Sequence, residues 1–241
     1  MDWFFKILFL ILAYLIGSIP FGYIFGKSKG VDIRQVGSKN IGATNTGRAL
    51  GFKYAVFTYL CDMSKGAIIV FLFRFNILPH EWCLINPMVY GLAAVIGHTF
   101  PIYLKFKGGK SVACGSGVLG AYCPILFPIA LLAFLIVLVS SKMVSLSSLL
   151  GALVMFIGTV VVALILGHFD FINYIDGSWQ YNLYFIIISF IIMAIIYIKH
   201  SSNIQRIFSG TERKISFKKK EKTDNLFICH FFIQIRLLLV V

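Results

Sequence analysis

Acidic residues are scarce in this chain. Nine Asp and Glu stand against 22 Lys and Arg in 241 residues, and charged residues of both signs make up only 13%. With 59% apolar residues and a mean hydropathy of +0.89, the composition excludes a soluble single domain of this length. The five cysteines, at 61, 83, 114, 123 and 229, have neither metal-ligand spacing nor a paired framework, which excludes a zinc site and a disulfide scaffold. A nucleotide P-loop is also missing. Gly108-Gly109-Lys110-Ser111 would need a glycine at 104, where the chain has Leu104. Internal repeats and low-complexity segments are absent as well.

Apolar length is abundant. Several runs exceed the roughly 18 residues that suggest a bilayer crossing, so the chain reads as an all-α, polytopic membrane protein with one domain over residues 1–222. The first run, residues 3–25, is longer than a signal h-region and reads as a retained span that Gly17, Pro20 and Gly22 allow to bend. Residues 27–53 carry six Lys and Arg against one Asp, which places them in the cytoplasm. Further spans are expected at 54–73, 87–104, 149–166 and 181–198. Asp62 and Lys65, three residues apart inside the second, share a helical face and are expected to pair.

Residues 111–139 decide the topology. One long span would put Lys142 outside, whereas two short helices divided near Tyr122-Cys123-Pro124 return it to the inside. The charge bias then gives about seven membrane helices, two of them short, with the N-terminus outside. An acidic loop with Asp170 and Asp176 lies outside, and Lys218-Lys219-Lys220 and the C-terminus face the cytoplasm. The tail, residues 223–241, is apolar but interrupted by His230, Gln234 and Arg236. That favours an interfacial helix or a poorly ordered tail over an eighth span, and no function is assigned to it. The net charge of +13 gathers at membrane boundaries, which fits anionic lipid and phosphate-bearing substrates better than nucleic acid.

Three polar stretches then meet at the cytoplasmic boundary. The first runs from Gly37 to Arg48 and interleaves Ser38, Thr44, Asn45 and other hydroxyls and amides with glycines. Such side chains hydrogen-bond phosphate oxygens, and Arg48 can do so bidentately; the plainer reading is a turn-rich loop with caps. The second joins Gly97-His98-Thr99-Phe100-Pro101 to Lys105-Phe106-Lys107-Gly108-Gly109-Lys110-Ser111. Paired glycines let backbone N–H groups approach an oxyanion, and Lys110 adds a mobile charge. The plainer reading is an orienting basic loop, and His98 reads as a group that holds a loop rather than as a general base. The third is His200-Ser201-Ser202-Asn203-Ile204-Gln205-Arg206 with Gly210-Thr211-Glu212, where His200 and Asn203, three residues apart, would share a helical face if the last span continues. Ser145 and Ser148 form a weaker fourth element whose serines also read as caps. No Ser-His-Asp order and no paired carboxylates accompany these stretches, so strong bases are in short supply.

These blocks, with Asp62-Met63-Ser64-Lys65-Gly66, resemble the PlsY-type bacterial glycerol-3-phosphate acyltransferases from about Leu15 to Glu212, in the family's order. The resemblance implies transfer of a fatty acyl group from acyl phosphate to the 1-hydroxyl of glycerol 3-phosphate. It implies an enzyme of the bacterial inner membrane, with its site facing the cytoplasm and needing no metal, cofactor, acyl carrier protein or coenzyme A. The H-x-x-x-x-D motif of other glycerolipid acyltransferases follows none of the histidines. Ser38 and Arg48 resemble the family's glycerol-phosphate-binding groups. Thr44, Gly108, Gly109 and Lys110 resemble its acyl-phosphate pocket, with Asn45 and His98 beside them. His200 and Asn203 resemble its third-block polar pair, and Ser145 or Ser148 its further serine. Lys110, Ser38, Arg48, His200 and Asn203 are the expected catalytic set. A phosphate oxygen of bound substrate is expected to take the hydroxyl proton, with Lys110 and the two glycine amides holding the departing phosphate. An organic-anion transporter built on the same islands is the competing class, although transporters more often show inverted repeats and a midplane site. Two departures from the family pattern are Cys114, where Thr or Ala is common, and the tail after Lys222.

Overall fold

Pro20 sets the shape of the first apolar run. It has no N–H to continue a helical ladder and disfavours helical backbone at the residue before it. In the computed structural model, which describes residues 2–164 and 179–215, that run forms α1 (Asp2–Ser18) and α2 (Phe21–Ser28), bent by 40°. Among the described residues every regular element is helical. A short α3 (Ala43–Leu50) follows, then α4 (Phe52–Arg74), α5 (Met88–Thr99), α6 (Val112–Tyr122), α7 (Leu126–Ser141), α8 (Val144–Leu164), α9 (Trp179–Lys199) and a short α10 (Ser201–Phe208).

The division expected near Tyr122-Cys123-Pro124 falls there, between α6 and α7. The helix expected to begin near 149 begins earlier, at Val144. Ser147 and Ser148 donate to the carbonyls of Met143 and Val144 at 2.9 Å each, so hydroxyls that lower hydropathy are absorbed by the helix itself. Among the described residues three helices are long and apolar enough to cross a bilayer, α4, α8 and the Asn182–Lys199 part of α9, and the bent α1–α2 pair is a fourth if it counts as one span. The apolar α5, α6 and α7 have 12, 11 and 16 residues. At 1.5 Å per residue they reach about 16–24 Å, against a hydrocarbon core of about 30 Å. The loop with Asp170 and Asp176, the Lys218-Lys219-Lys220 cluster and the tail 223–241 lie outside the described residues.

Backbone-to-backbone contact sets α6 against α4. A Cβ on Gly66 would strike the carbonyl of Cys114, and one on Gly117 would strike that of Met63. Cys114 is fully buried at this crossing, where a small side chain lets the helices approach. The main core joins Val70, Val118, Tyr122, Phe185 and Ile192. A second cluster, between α1, α4 and α5, centres on Phe73 and Tyr90, whose rings stack with centroids 4.9 Å apart. A third, of Ile33, Ile41 and Leu104, pins the loop that precedes α3. Finally, the Ile215 amide donates to Lys142 O at 2.8 Å and draws the segment after α10 back to the α7–α8 junction.

Candidate active site

The loop before α3 is folded around Asn45. Its side-chain Oδ1 accepts from the Ser38 amide at 2.7 Å, while Nδ2 lies 2.9 Å from Ile33 O, 3.1 Å from Val36 O and 2.9 Å from Asn40 O. The asparagine predicted to meet substrate is therefore spent on backbone, and it holds Ser38 at the cavity edge. Thr44 and Arg48, one helical turn apart on α3, are exposed there. Burial lowers the Arg48 pKa from its usual value, as does the neighbouring Arg213, while Glu212 opposes both.

The Gly-Gly turn is built on the end of α5. The Gly109 amide donates to His98 O at 3.0 Å. A Cβ on Gly108 would collide with His98 O and Thr99 O, and one on Gly109 with the His98 imidazole. Lys105 (φ 51°), Phe106 (φ 61°) and Ser111 (φ 59°) all take left-handed backbone around this turn. Ser111 is anchored by its hydroxyl to Val95 O at 3.2 Å. Beneath the turn sits the expected ion pair, with Lys65 Nζ 2.7 Å from Asp62 Oδ1 and 2.6 Å from Ile19 O. His98 Nδ1 lies 3.6 Å from the same carboxylate oxygen, and all three side chains are buried.

Lys110 crosses from this turn to the third stretch. Its ammonium donates to Asn203 Oδ1. Asn203 Nδ2 in turn donates to Ser145 Oγ at 2.6 Å and to Glu212 Oε1 at 2.8 Å. Glu212 also accepts from Ser145 Oγ at 2.6 Å and from Arg206 Nε at 2.8 Å. Burial opposes ionisation of Glu212, but hydrogen bonds from Ser145, Asn203 and Arg206 outweigh it and lower its pKa. Burial, followed by the charge of Arg206, pushes the Lys110 pKa down to about 8. His200 pairs through Nδ1 with Ile196 O at 2.8 Å, which assigns the proton to Nδ1 and leaves Nε2 as an acceptor. Burial and the charge of Lys110 push its pKa down to about 4, so it is neutral at pH 7.

Most of these groups line one polar cavity of about 800 Å³, which among the described residues eight Lys and Arg and two carboxylates, Asp62 and Glu212, face. Eleven of the twelve residues singled out in the sequence reach it. Gly109, packed on His98, does not. Beside it lies an apolar cleft of about 770 Å³ between α3, α4, α6, α7, α8 and α9. The two spaces share Thr44, Arg48, Val112, Phe134 and Ser148 along a common border.

Comparison with known proteins decides what this arrangement belongs to. Residues 7–210 match the family model described as glycerol-3-phosphate acyltransferase. The chain belongs to that family. A glycerol-3-phosphate acyltransferase of Macrococcus caseolyticus is 44% identical over 214 residues, covering 88% of this chain and 98% of the relative. One from Enterococcus faecalis is 39% identical over 225 residues, covering 90% and 94%. Among solved structures, the glycerol 3-phosphate form of PlsY (YgiH), an integral membrane glycerol 3-phosphate acyltransferase, superposes with a TM-score of 0.73. It is 34% identical over 88% of this chain and 96% of that one. Its lysophosphatidic acid form gives 0.71 and 33%, over 88% and 95%. The protein is thus an acyltransferase of the PlsY family and a membrane protein.

Two features of this acyltransferase's site went unassigned in the sequence. Glu212 joins Ser145, Asn203 and Arg206, and as the one acid between Lys199 and Ile215 it carried a signal. Between the two candidate serines, Ser145 enters this network, whereas Ser148 bonds its own helix and stands at the border of the two spaces.

Proposed function

We propose that the chain transfers a fatty acyl group from acyl phosphate to the 1-hydroxyl of sn-glycerol 3-phosphate. The products are 1-acyl-sn-glycerol 3-phosphate (lysophosphatidic acid) and inorganic phosphate, in the first acylation of phospholipid synthesis. One observation carries the reading: a cation-rich cavity borders, along Thr44, Arg48 and Ser148, an apolar cleft of similar size. Acyl phosphate is a phosphate on an apolar chain and uses both spaces; glycerol 3-phosphate uses the first. The glycerol 3-phosphate and lysophosphatidic acid forms of the related PlsY structure support the acceptor and the product of this reading.

Ser38 and Arg48 hold the phosphate of glycerol 3-phosphate. Thr44, the Gly108 turn and Lys110 hold that of the donor, and the cleft takes its chain. The glycerol hydroxyl oxygen attacks the acyl carbon, the bond from that carbon to the phosphate oxygen breaks, and phosphate leaves with the electron pair. The mixed anhydride is already activated, so alignment and stabilisation of the developing charge are the main demands on the protein. The hydroxyl proton passes to a phosphate oxygen of bound substrate. A phosphate monoester has a second pKa of about 6, which makes it a stronger base than His200 at about 4. His200 Nε2 accepts from the other hydroxyl of glycerol 3-phosphate and so orients the acceptor, while Asn203 places the Lys110 ammonium. With the Gly109 amide already given to His98, Lys110 carries most of the charge compensation.

In the bilayer, the α1–α2 pair and α4 to α9 form seven membrane helices, with residues 111–139 divided between α6 and α7 and α5 short as well. The N-terminus is outside, and the site faces the cytoplasm of the bacterial inner membrane, where the basic loops gather. The test is phosphate release from palmitoyl phosphate in detergent, with and without glycerol 3-phosphate, for wild type and Lys110→Ala. Release that needs both substrates and is lost in the variant is expected. Uptake of organic anions by proteoliposomes without phosphate release would replace the enzyme with a transporter.

A further inference from the structure

Four glycines line the apolar cleft, and three of them have a structural reason to be glycine. Gly51 sits at φ +95°, a Cβ on Gly47 would lie 2.7 Å from Ala55 Cβ, and one on Gly115 would lie 2.9 Å from Ile192 Cγ2. Gly151 has neither constraint. It is an interior residue of α8 with no positive φ, and its nearest neighbours to a Cβ would be Phe134 Cβ at 3.6 Å and Ala130 O at 3.7 Å. Those are ordinary van der Waals distances, so alanine would meet α7 equally well and would favour the helix more. The fold itself therefore gives no reason to exclude a side chain at 151.

The cleft supplies one. Val144, Ser148, Gly151, Ala152 and Met155 follow the spacing of one helical face, and all of them line it. Val144 and Ser148 also line the polar cavity, whereas Gly151 lines the cleft alone, about 4.5 Å further along α8 than Ser148 by the helical rise. Ala130 and Phe134, the neighbours a Cβ would meet, are themselves cleft residues. A side chain at 151 would thus project into the space just beyond the border where the donor's phosphate is held.

We infer that Gly151 is a specificity-determining residue, which keeps the entrance of the cleft wide enough for a long acyl chain to pass from the phosphate site. The inference rests on the donor reading above. It separates fold from function in an unusual direction, because the side chain that helps the helix hinders the substrate.

The test uses Gly151→Ala and Gly151→Leu in the full-length enzyme, with butanoyl phosphate and hexadecanoyl phosphate as donors. Gly151→Ala should melt at or above the wild-type temperature. Its hexadecanoyl-to-butanoyl ratio of kcat/KM should fall by roughly tenfold, the scale of one methylene in an apolar pocket. Gly151→Leu should lower that ratio further. Ratios equal to wild type in a folded Gly151→Ala protein overturn the inference and leave the donor reading standing. A wild-type enzyme that turns over neither acyl phosphate overturns the donor reading, and this inference with it. Should the leucine variant fail to fold, the alanine variant alone decides the matter.

Discussion

Gly109 rests on His98: its amide donates to the histidine carbonyl at 3.0 Å, and its Cα faces the imidazole so closely that no side chain fits between them. Lys110 is the next residue, so any displacement of the turn moves the ammonium that bridges to Asn203. Gly109→Ala should therefore lower kcat/KM for acyl phosphate by roughly 100-fold, the scale expected for misplacing a reacting group by about an ångström. Removing the obstruction with His98→Ala in the same protein should restore part of that activity. A double variant no better than Gly109→Ala would show that the histidine ring is not what the methyl meets.

Under that histidine, Asp62 and Lys65 form a buried ion pair at 2.7 Å. Removing one partner strands a charge in an apolar interior, which typically costs about 3–5 kcal/mol. Asp62→Asn and Lys65→Met should each lower the melting temperature in detergent. The double variant should be more stable than the two single losses combined, because it leaves no lone charge. Additive losses would mean that the two side chains are stabilised independently.

The sequence revealed the helices better than the spaces between them. Long apolar runs announced α4, α8 and α9, and Pro20 and Pro124 marked where the chain breaks. The eight-residue helices α3 and α10 were hidden, because two turns of polar sequence read equally well as loop. Lys110, Arg48 and Asn203 were legible as phosphate chemistry at one boundary, and the structure gathers them in one cavity. Asn45 was read as a ligand because an amide in a Gly-rich loop can serve phosphate or backbone equally, and only the folded loop shows which. Glu212 reaches the site because Ile215 is tied to Lys142, a pairing between residues far apart in sequence. The apolar cleft was invisible for a simpler reason: in a bilayer, helix faces toward lipid, core and ligand are all made of the same residues.

Glu212 gathers Ser145, Asn203 and Arg206 on its two oxygens. Glu212→Ala leaves those donors without their acceptor and frees Asn203 from the geometry that meets Lys110. Hydrogen bonds to a charged group are typically worth about 1.5–3 kcal/mol, so turnover should fall by roughly 10- to 100-fold. Ser145→Ala should cost more activity than Ser148→Ala, whose hydroxyl bonds only Val144 O. Initial rates at saturating glycerol 3-phosphate check both. Equal losses at the two serines would remove Ser145 from the site.

Lys110 makes activity and stability respond to pH in opposite directions. Its pKa of about 8 in the fold, against the ordinary 10.5 of a lysine, means that the ammonium is lost as pH rises through 8. Because kcat/KM reports groups of the free enzyme, its value for acyl phosphate should fall through that pH as the cation facing the donor phosphate disappears. Between about 8 and 10.5 the unfolded chain keeps a proton that the folded one has released. The unfolded state then binds more protons, so the contribution of Lys110 to folding stability rises with pH across the same window. Lys110→Arg stays charged throughout and should lose the alkaline fall in kcat/KM, whatever its absolute rate. Paired measurements of initial rate and melting temperature from pH 7 to 9.5 separate the two effects. A flat kcat/KM profile in wild type, or an unchanged alkaline limb in Lys110→Arg, would take the donor phosphate away from Lys110.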